Sequence, residues 1–428
     1  MELLLRLRRC RVLQHFLFFL FFTVCFMFLW ICYLSPAQDG STLIQQARSY
    51  QEREKPSSRD LPPLTRFLDL PSRVQIGPLA VLFPVIYELK VQYGHTLHLP
   101  RSASESLEAQ GIDLKTVHRQ EVITVINKFT KTQAIYNPAR LLRFSNSTVS
   151  SPNSTYLSAY LSDLLNSSLP TCVFCNATKF LSYQDPLADH LKTNMSFCAA
   201  NTFLFSDVHP MFFPKRHLII PSTEELYDLL YLVRTFLERQ PNQKELYPFS
   251  IALDVLPKSG GSQVHFHFQG LHTEGHLHSS LLSAVAGEPK YFPILIRIHE
   301  KLGLSEQVGS AVVISPIDPL YPTELLIFSP SYNEDFFEAF RLVLLAHQKI
   351  ASVPCVSGIF TIVSAAAVSD GLHPSQLSAP SVIGRIMNRG NCMSIKGDVS
   401  SFDLFVAADI STEPMALIRN VQMARYLG

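Results

Sequence analysis

The residues best placed to do chemistry lie in the segment GGSQVHFHFQG, from Gly260 to Gly270. Polar and apolar residues alternate from Ser262 to Gln269, the period-2 pattern of a half-buried strand. Successive strand side chains point to opposite faces, so His265, His267 and Gln269 share one face, and Val264, Phe266 and Phe268 share the other. The alternation predicts that the two histidines and Gln269 line an open pocket while the two phenylalanines are buried. A neutral imidazole can attack phosphorus and form a covalent intermediate, splitting one displacement into two. Gln269 can donate a hydrogen bond to charge developing on phosphate oxygens but cannot shuttle protons. Without a third histidine as acid the leaving group must itself be good, as a sugar phosphate or pyrophosphate is. That favours phosphorolysis or transfer over hydrolysis of simple esters.

A second signal is Cys172-Val-Phe-Cys175, a C-x-x-C knuckle that can place two thiolates on one zinc ion. In an oxidising compartment a disulfide is the alternative. Lys215 and Arg216 offer charge for phosphates, or form a solvated turn. Asn137 and Arg140, in the run NPAR, contact a ligand or form an Asn-Pro turn. His272, His276 and His278 continue the histidine cluster and raise the idea of a metal protein built on residues 265–278.

Taken in order, these elements resemble the histidine-triad superfamily, in its transferase branch. Galactose-1-phosphate uridylyltransferase, diadenosine tetraphosphate phosphorylase and the GDP-hexose phosphorylases belong to that branch. The matching residues are Ser262, His265, His267 and Gln269 in the S-x-x-H-x-H-x-Q form, with support from Asn137 to Arg140, Cys172-x-x-Cys175 and the stretch His209 to Ser222. The resemblance covers roughly residues 130–280. It implies that His267 is the nucleophile that takes a nucleoside monophosphate onto its ring, that Gln269 bonds a phosphate oxygen, and that Ser262 contacts the phosphates. His265 orients the loop or ligates zinc beside the cysteines. The candidate metal ligands are Cys172 and Cys175 with His265 or His217; if His217 aligns with the strand histidine of the family, the family's fourth zinc ligand is missing or replaced. Zinc would be structural, and no organic cofactor is implied. The expected fold is α+β, a histidine-triad-like antiparallel sheet with packed helices, in two such halves, behind an N-terminal transmembrane helix. The expected function is a membrane-anchored lumenal nucleotidyltransferase or phosphorylase acting on a nucleotide-sugar or dinucleoside polyphosphate. The alternative is an inactive lumenal nucleotide-binding or scaffolding glycoprotein.

The elements that must position these residues are partly legible. Ser222-Thr-Glu-Glu225 is a capping box, followed by Leu226, Leu229, Leu230, Val233, Phe236 and Leu237 at helical spacing to about residue 240. Segments 217–221, 249–256, 310–317, 324–330, 358–367 and 401–410 read as strands. Segments 334–350 and 413–427 read as helices. The Ser/Asn-rich stretch 145–170 reads as an exposed loop. No comparable motif marks the second half.

The chain has 428 residues and a net charge of +1, so bulk electrostatics give no indication of a nucleic-acid partner. Phe16 to Leu34 is an uncharged run of nineteen residues preceded by Arg6, Arg8, Arg9 and Arg11. Its length and basic flank predict a signal anchor with the rest of the chain lumenal, and a cleaved signal peptide is the rival. Five sequons at Asn146, Asn153, Asn166, Asn176 and Asn194 agree with a lumenal chain. The reading is a single-pass type II protein of the Golgi or endoplasmic reticulum, with oligomeric state open. Its segments are a cytosolic tail (1–15), the anchor (16–34), a stalk (35–62), a catalytic half (63–290) and a C-terminal α+β half (291–428). Five lumenal cysteines leave one over after simple pairing.

Overall fold

Helix α1 (Leu79–Ile86) leads directly into β1 (Tyr87–His95). Helix α2 (Arg101–Ala109) follows, then β2 (Arg119–Asn127) and β3 (Gln133–Tyr136). These three strands pair antiparallel, and β13 (Ala408–Asp409) joins β3 in parallel to complete a four-stranded sheet. Helix α3 (Ser154–Ser168) precedes the knuckle. Then come β4 (Ser196–Ala200), β5 (Pro210–Pro214), α4 (Thr223–Arg239), β6 (Phe249–Asp254) and β7 (Phe268–His272). The second half contributes α5 (Tyr291–Leu302), β8 (Ser305–Val308), β9 (Ala311–Ile314), β10 (Leu325–Ser329), α6 (Glu334–Leu345), β11 (Val356–Ile362), β12 (Val382–Asn388) and α7 (Pro414–Ala424).

This structure is a computed structural model. It describes residues 62–427 apart from 96–97, 110–111, 139, 141–153, 177–190, 203, 207, 241–245, 273–280, 282–287, 289, 369–379, 395–398, 400 and 402–405. The expected tail, anchor and nearly all of the stalk lie outside the described residues, as do Asn146, Asn153, His276 and His278. Among the described residues no helix is long and apolar enough to cross a membrane.

Nine strands form one antiparallel sheet in the order β4-β5-β7-β6-β11-β12-β10-β9-β8. The chain order strand, helix, strand, strand occurs twice, as β5-α4-β6-β7 and as β10-α6-β11-β12. The two units meet where β6 pairs with β11. At that seam Ser250 lies opposite Thr361, and their buried hydroxyls bond at 2.9 Å. The capping box is formed in both directions: Ser222 accepts from the Glu225 amide, and Glu225 accepts from the Ser222 amide. All six predicted apolar positions of α4 are buried. Each such side chain contributes roughly 1.5–3 kcal/mol by leaving water.

Four expectations need correction. The strand read at 217–221 is absent: β5 ends at Pro214, and the Leu218 carbonyl accepts one bond from Phe266 N–H at 2.8 Å. The segment 262–267 is bent, and the strand begins at Phe268. The stretch 145–170 is no loop over 154–168, where Leu157, Leu161, Leu164 and Leu165 give α3 its helical spacing. Of 401–410, only Ala408–Asp409 is strand, and 402–405 lie outside the described residues.

Candidate active site and metal centre

Phe266 and Phe268 anchor the chemistry-bearing segment. They are 2% and 0% exposed, and their rings meet edge to face at 5.4 Å. Phe268 also packs edge-on against Phe340 and Phe360 of the second half. Burial of these two rings faces His265 and His267, which alternate with them, the other way, toward the knuckle. Phe174 of the knuckle stacks on Phe213 of β5 at 4.5 Å and meets the His265 and His267 rings at 5.7 and 4.9 Å. The expected sidedness therefore survives the loss of regular strand geometry. The expected open pocket does not: His265 and His267 are 1% and 4% exposed, because the knuckle ring covers them.

Cys172, Cys175, His217 and His265 converge, with one ligand atom from each lying within 4.8 Å of all the others. Cys172 Sγ is 3.4 Å from His265 Nδ1, and Cys175 Sγ is 3.3 Å from His217 Nδ1 and 3.6 Å from His265 Nδ1. The two Nδ1 atoms are 3.3 Å apart. A tetrahedron with sulfur at about 2.3 Å and nitrogen at about 2.0–2.1 Å from its centre has N–N edges near ~3.3 Å and S–N edges near ~3.6 Å. The donor set is therefore spaced to hold a metal ion of that radius.

The outer hydrogen bonds leave both Nδ1 atoms free to ligate. His265 Nε2 donates to the Pro214 carbonyl at 2.9 Å. Ser168 gives its hydroxyl proton to the Leu165 carbonyl, so its oxygen accepts from His217 Nε2 at 3.0 Å. Both proton positions follow from these acceptors. Burial, then the neighbouring His217, lowers the pKa of His265 to about 4; burial also lowers that of His217. Both rings are thus neutral at pH 7, as ligands must be. Cys175 is exposed as a residue, but its sulfur turns inward. Burial of the sulfur and then the bond with Cys172 push its thiol up to about 12. A divalent cation reverses that preference and draws out the thiolates.

The loop that delivers His217 is held at the two residues before it. Arg216 makes a two-pronged ion pair with Glu225 at 2.8 and 2.7 Å, tying the loop to the cap of α4. Lys215 bonds through its backbone N–H to the Met195 carbonyl, and its ammonium lies over the Phe197 ring. Ser262 is exposed on the bend before the histidines. Asn137 and Arg140 follow β3 of the four-stranded sheet. Asn137 donates to Gln120 and Arg140 pairs with Asp409, fastening β3 to β13.

His267 Nδ1 lies 2.9 Å from the carbonyl of His265. A carbonyl only accepts, so Nδ1 carries the proton and Nε2 presents a lone pair. Burial lowers the pKa of this ring, which keeps it neutral. Gln269 pairs between Met211 on β5 and Ala252 on β6. Its Oε1 lies 3.2 Å from His209 Nε2 and 3.3 Å from Asn201 Nδ2. Sequence reasoning missed His209 and Asn201 as supports of Gln269, because their link crosses from the β4–β5 loop to β7. His272 ends β7, where its backbone N–H bonds Val208 O. Among the described cysteines, Cys355 and Cys392 form a disulfide and Cys198 is a buried thiol. Asn166, Asn176 and Asn194 are exposed.

No family model matches the chain, and no curated protein matches it by sequence. Solved structures do. An ADP-glucose phosphorylase from Arabidopsis thaliana with bound ADP-glucose is 14% identical, covers 70% of this chain and 98% of its own, and has a TM-score of 0.50. A uridylyltransferase is 13% identical over 58% of this chain and 89% of its own, with a TM-score of 0.43. Yeast Ap4A phosphorylase with AMP is 12% identical over 72% and 85%, with a TM-score of 0.33. The likeness to the first of these shows that the chain has a mixed α+β fold like that of the ADP-glucose phosphorylase.

Proposed function

We propose that this protein is a nucleotidyltransferase or phosphorylase that works through a nucleotidyl-histidine at His267. The observation that carries the reading is the bond from His267 Nδ1–H to the His265 carbonyl, which leaves Nε2 as a neutral nucleophile two residues before Gln269. In the first half-reaction Nε2 attacks the α-phosphorus. The N–P bond forms, the P–O bond to the leaving phosphate breaks, and that phosphate departs with the electron pair. The ring becomes cationic, and the His265 carbonyl at Nδ1 offsets the charge. In the second half-reaction a phosphate oxygen attacks phosphorus and the N–P bond breaks, which restores the neutral ring. Gln269 donates to the phosphate oxygens in both steps. The substrate class is a nucleotide-sugar or dinucleoside polyphosphate, the first in keeping with the ADP-glucose bound in the phosphorylase structure.

Zinc is the ion that best suits two thiolates and two imidazoles. Held by Cys172, Cys175, His217 and His265, it would have all four positions filled by protein and so serve structure. Its service to chemistry would be indirect, because His265, which would help hold it, also supplies the carbonyl that orients His267.

The setting is proposed to be lumenal, with the chain anchored by residues 16–34 in the Golgi or endoplasmic reticulum. The basic flank, the exposed sequon asparagines and the Cys355–Cys392 disulfide support it. The enclosure of His267 favours one second reading, a glycoprotein that binds a nucleotide without turning it over. A panel of ADP-, GDP- and UDP-sugars and Ap4A, each with and without inorganic phosphate, separates the two. Phosphate-dependent release of a nucleoside diphosphate supports the enzyme. Binding without release on the whole panel supports the second reading.

A further inference from the structure

His209 closes the loop between β4 and β5 and is 3% exposed. Its Nδ1 lies 3.1 Å from the backbone nitrogen of Phe205. A backbone amide can only donate, so Nδ1 holds no proton and the neutral ring carries it on Nε2. Burial lowers the pKa of His209, which keeps that ring neutral. The Nε2–H is 3.2 Å from the end of the Gln269 side chain, and a donor there requires the carbonyl oxygen of the amide to face it. Asn201 Nδ2 lies 3.3 Å from that oxygen and 3.2 Å from His209 Nε2; with the proton on Nε2 the Asn201 amide cannot donate to the ring, and of these two contacts it donates to the Gln269 oxygen. The two amide ends of a glutamine are nearly equal in shape and opposite in polarity, so nothing but such partners decides which end faces a ligand. We propose that His209 is a positioning residue that locks the Gln269 carbonyl toward the β4–β5 loop and so offers its NH2 end to the phosphate. The inference rests on the nucleotidyl-histidine reading for its kinetic consequence, and on geometry alone for the proton position. With the amide reversed, a carbonyl oxygen would face phosphate oxygens, lone pair against lone pair.

The test uses the full-length chain in detergent and the single-turnover rate of His267 nucleotidylation on a substrate from the panel. His209→Ala should slow labelling about tenfold, less than the loss of a donor outright, with apparent substrate affinity changed less than about threefold. His209→Gln, whose amide nitrogen overlies Nε2, should restore most of the rate. In a Gln269→Ala background His209→Ala should have no further effect, because it acts only through Gln269. An equal slowing in both backgrounds means a general structural role and overturns the proposal. A second arm needs no activity. In protein labelled with nitrogen-15 histidine, His209 should show a protonated Nε2 that shifts on Gln269→Ala. A proton on Nδ1 overturns the proposal. If wild-type His267 never labels, the nucleotidyl-histidine reading falls, and the nitrogen-15 arm still decides the role of His209.

Discussion

Phe174 sets the ring of the knuckle against both histidines, and Phe174→Ala tests that contact. The ring is 5% exposed and packs in one cluster with Cys172, Ala199, Met211 and Phe213. Removing a buried phenylalanine costs about 3–5 kcal/mol, from lost transfer energy and the cavity left behind. The stacked partner Phe213 at 4.5 Å belongs to an arrangement worth about 0.5–1.5 kcal/mol beyond burial. Against these, the next residues, Cys175 and Asn176, are exposed, so the turn can settle inward and refill part of the space. The expected loss is about 3 kcal/mol, a large part of the roughly 5–15 kcal/mol that holds a domain folded. Phe174→Leu should lose only about 1 kcal/mol, because it keeps most of the apolar volume. Urea unfolding followed by far-UV circular dichroism reads the difference. The alanine variant should also hold less metal, since the cavity undercuts Cys172. An alanine variant within about 1 kcal/mol of wild type, with full metal content, would refute the idea that this ring braces the site.

Three further outcomes follow from the same geometry. Gly270→Ala places a Cβ 2.7 Å from Phe249 and 2.8 Å from Pro210, both packed, so the variant should lose about 1–3 kcal/mol in urea unfolding; neutral behaviour would mean that β7 can shift. Ser168→Ala removes the acceptor for His217 Nε2–H and should weaken metal affinity about tenfold in a chelator competition, where an unchanged affinity would contradict the assigned outer bond. Burial lowers His299 and His347 to about 4, below the usual range near 6.5, so unfolded chains bind more protons between those values. Their share of stability is complete above about pH 6.5 and falls on acidification, by about 2 kcal/mol each at pH 5, while the raised carboxyls Asp318 and Glu324 act in the opposite sense. His347→Gln should flatten the loss of stability from pH 7 to pH 5, and an unchanged slope would remove His347 from the explanation.

What the residues disclose in advance depends on how local their partners are. The α4 cap was legible because both halves of the capping box lie within four residues. The four metal donors were legible as a set only through the family resemblance, since spacing alone left zinc and disulfide open at the knuckle. The alternation of 262–269 correctly placed the phenylalanines and the histidines on opposite sides, but not the burial of the histidines, which the ring of Phe174 covers. It overstated the strand, because the chain bends so that His265 Nε2 reaches the Pro214 carbonyl while Nδ1 reaches the cysteines. The apolar run 217–221 looked like a strand for a related reason: Leu218 and Ile219 are buried, but the backbone there turns to deliver His217. Helix α3 was hidden by composition, although Leu157, Leu161, Leu164 and Leu165 carried its period. The four-stranded sheet, the β6–β11 seam and the His209–Gln269 contact were not legible, since each joins residues with no local signature of their partners.

The central claim is that His267 Nε2 becomes covalently bonded to a nucleoside monophosphate. The most direct measurement is to incubate the full-length protein with a nucleotide-sugar or dinucleoside polyphosphate labelled at the α-phosphorus, quench, and map the modified residue by mass spectrometry. The account predicts an acid-labile adduct on His267 that forms without phosphate, is discharged by phosphate, and is lost in His267→Ala with the fold intact. A folded, metal-loaded wild-type protein that turns over a substrate with no adduct at His267, or with the adduct on another residue, would contradict it.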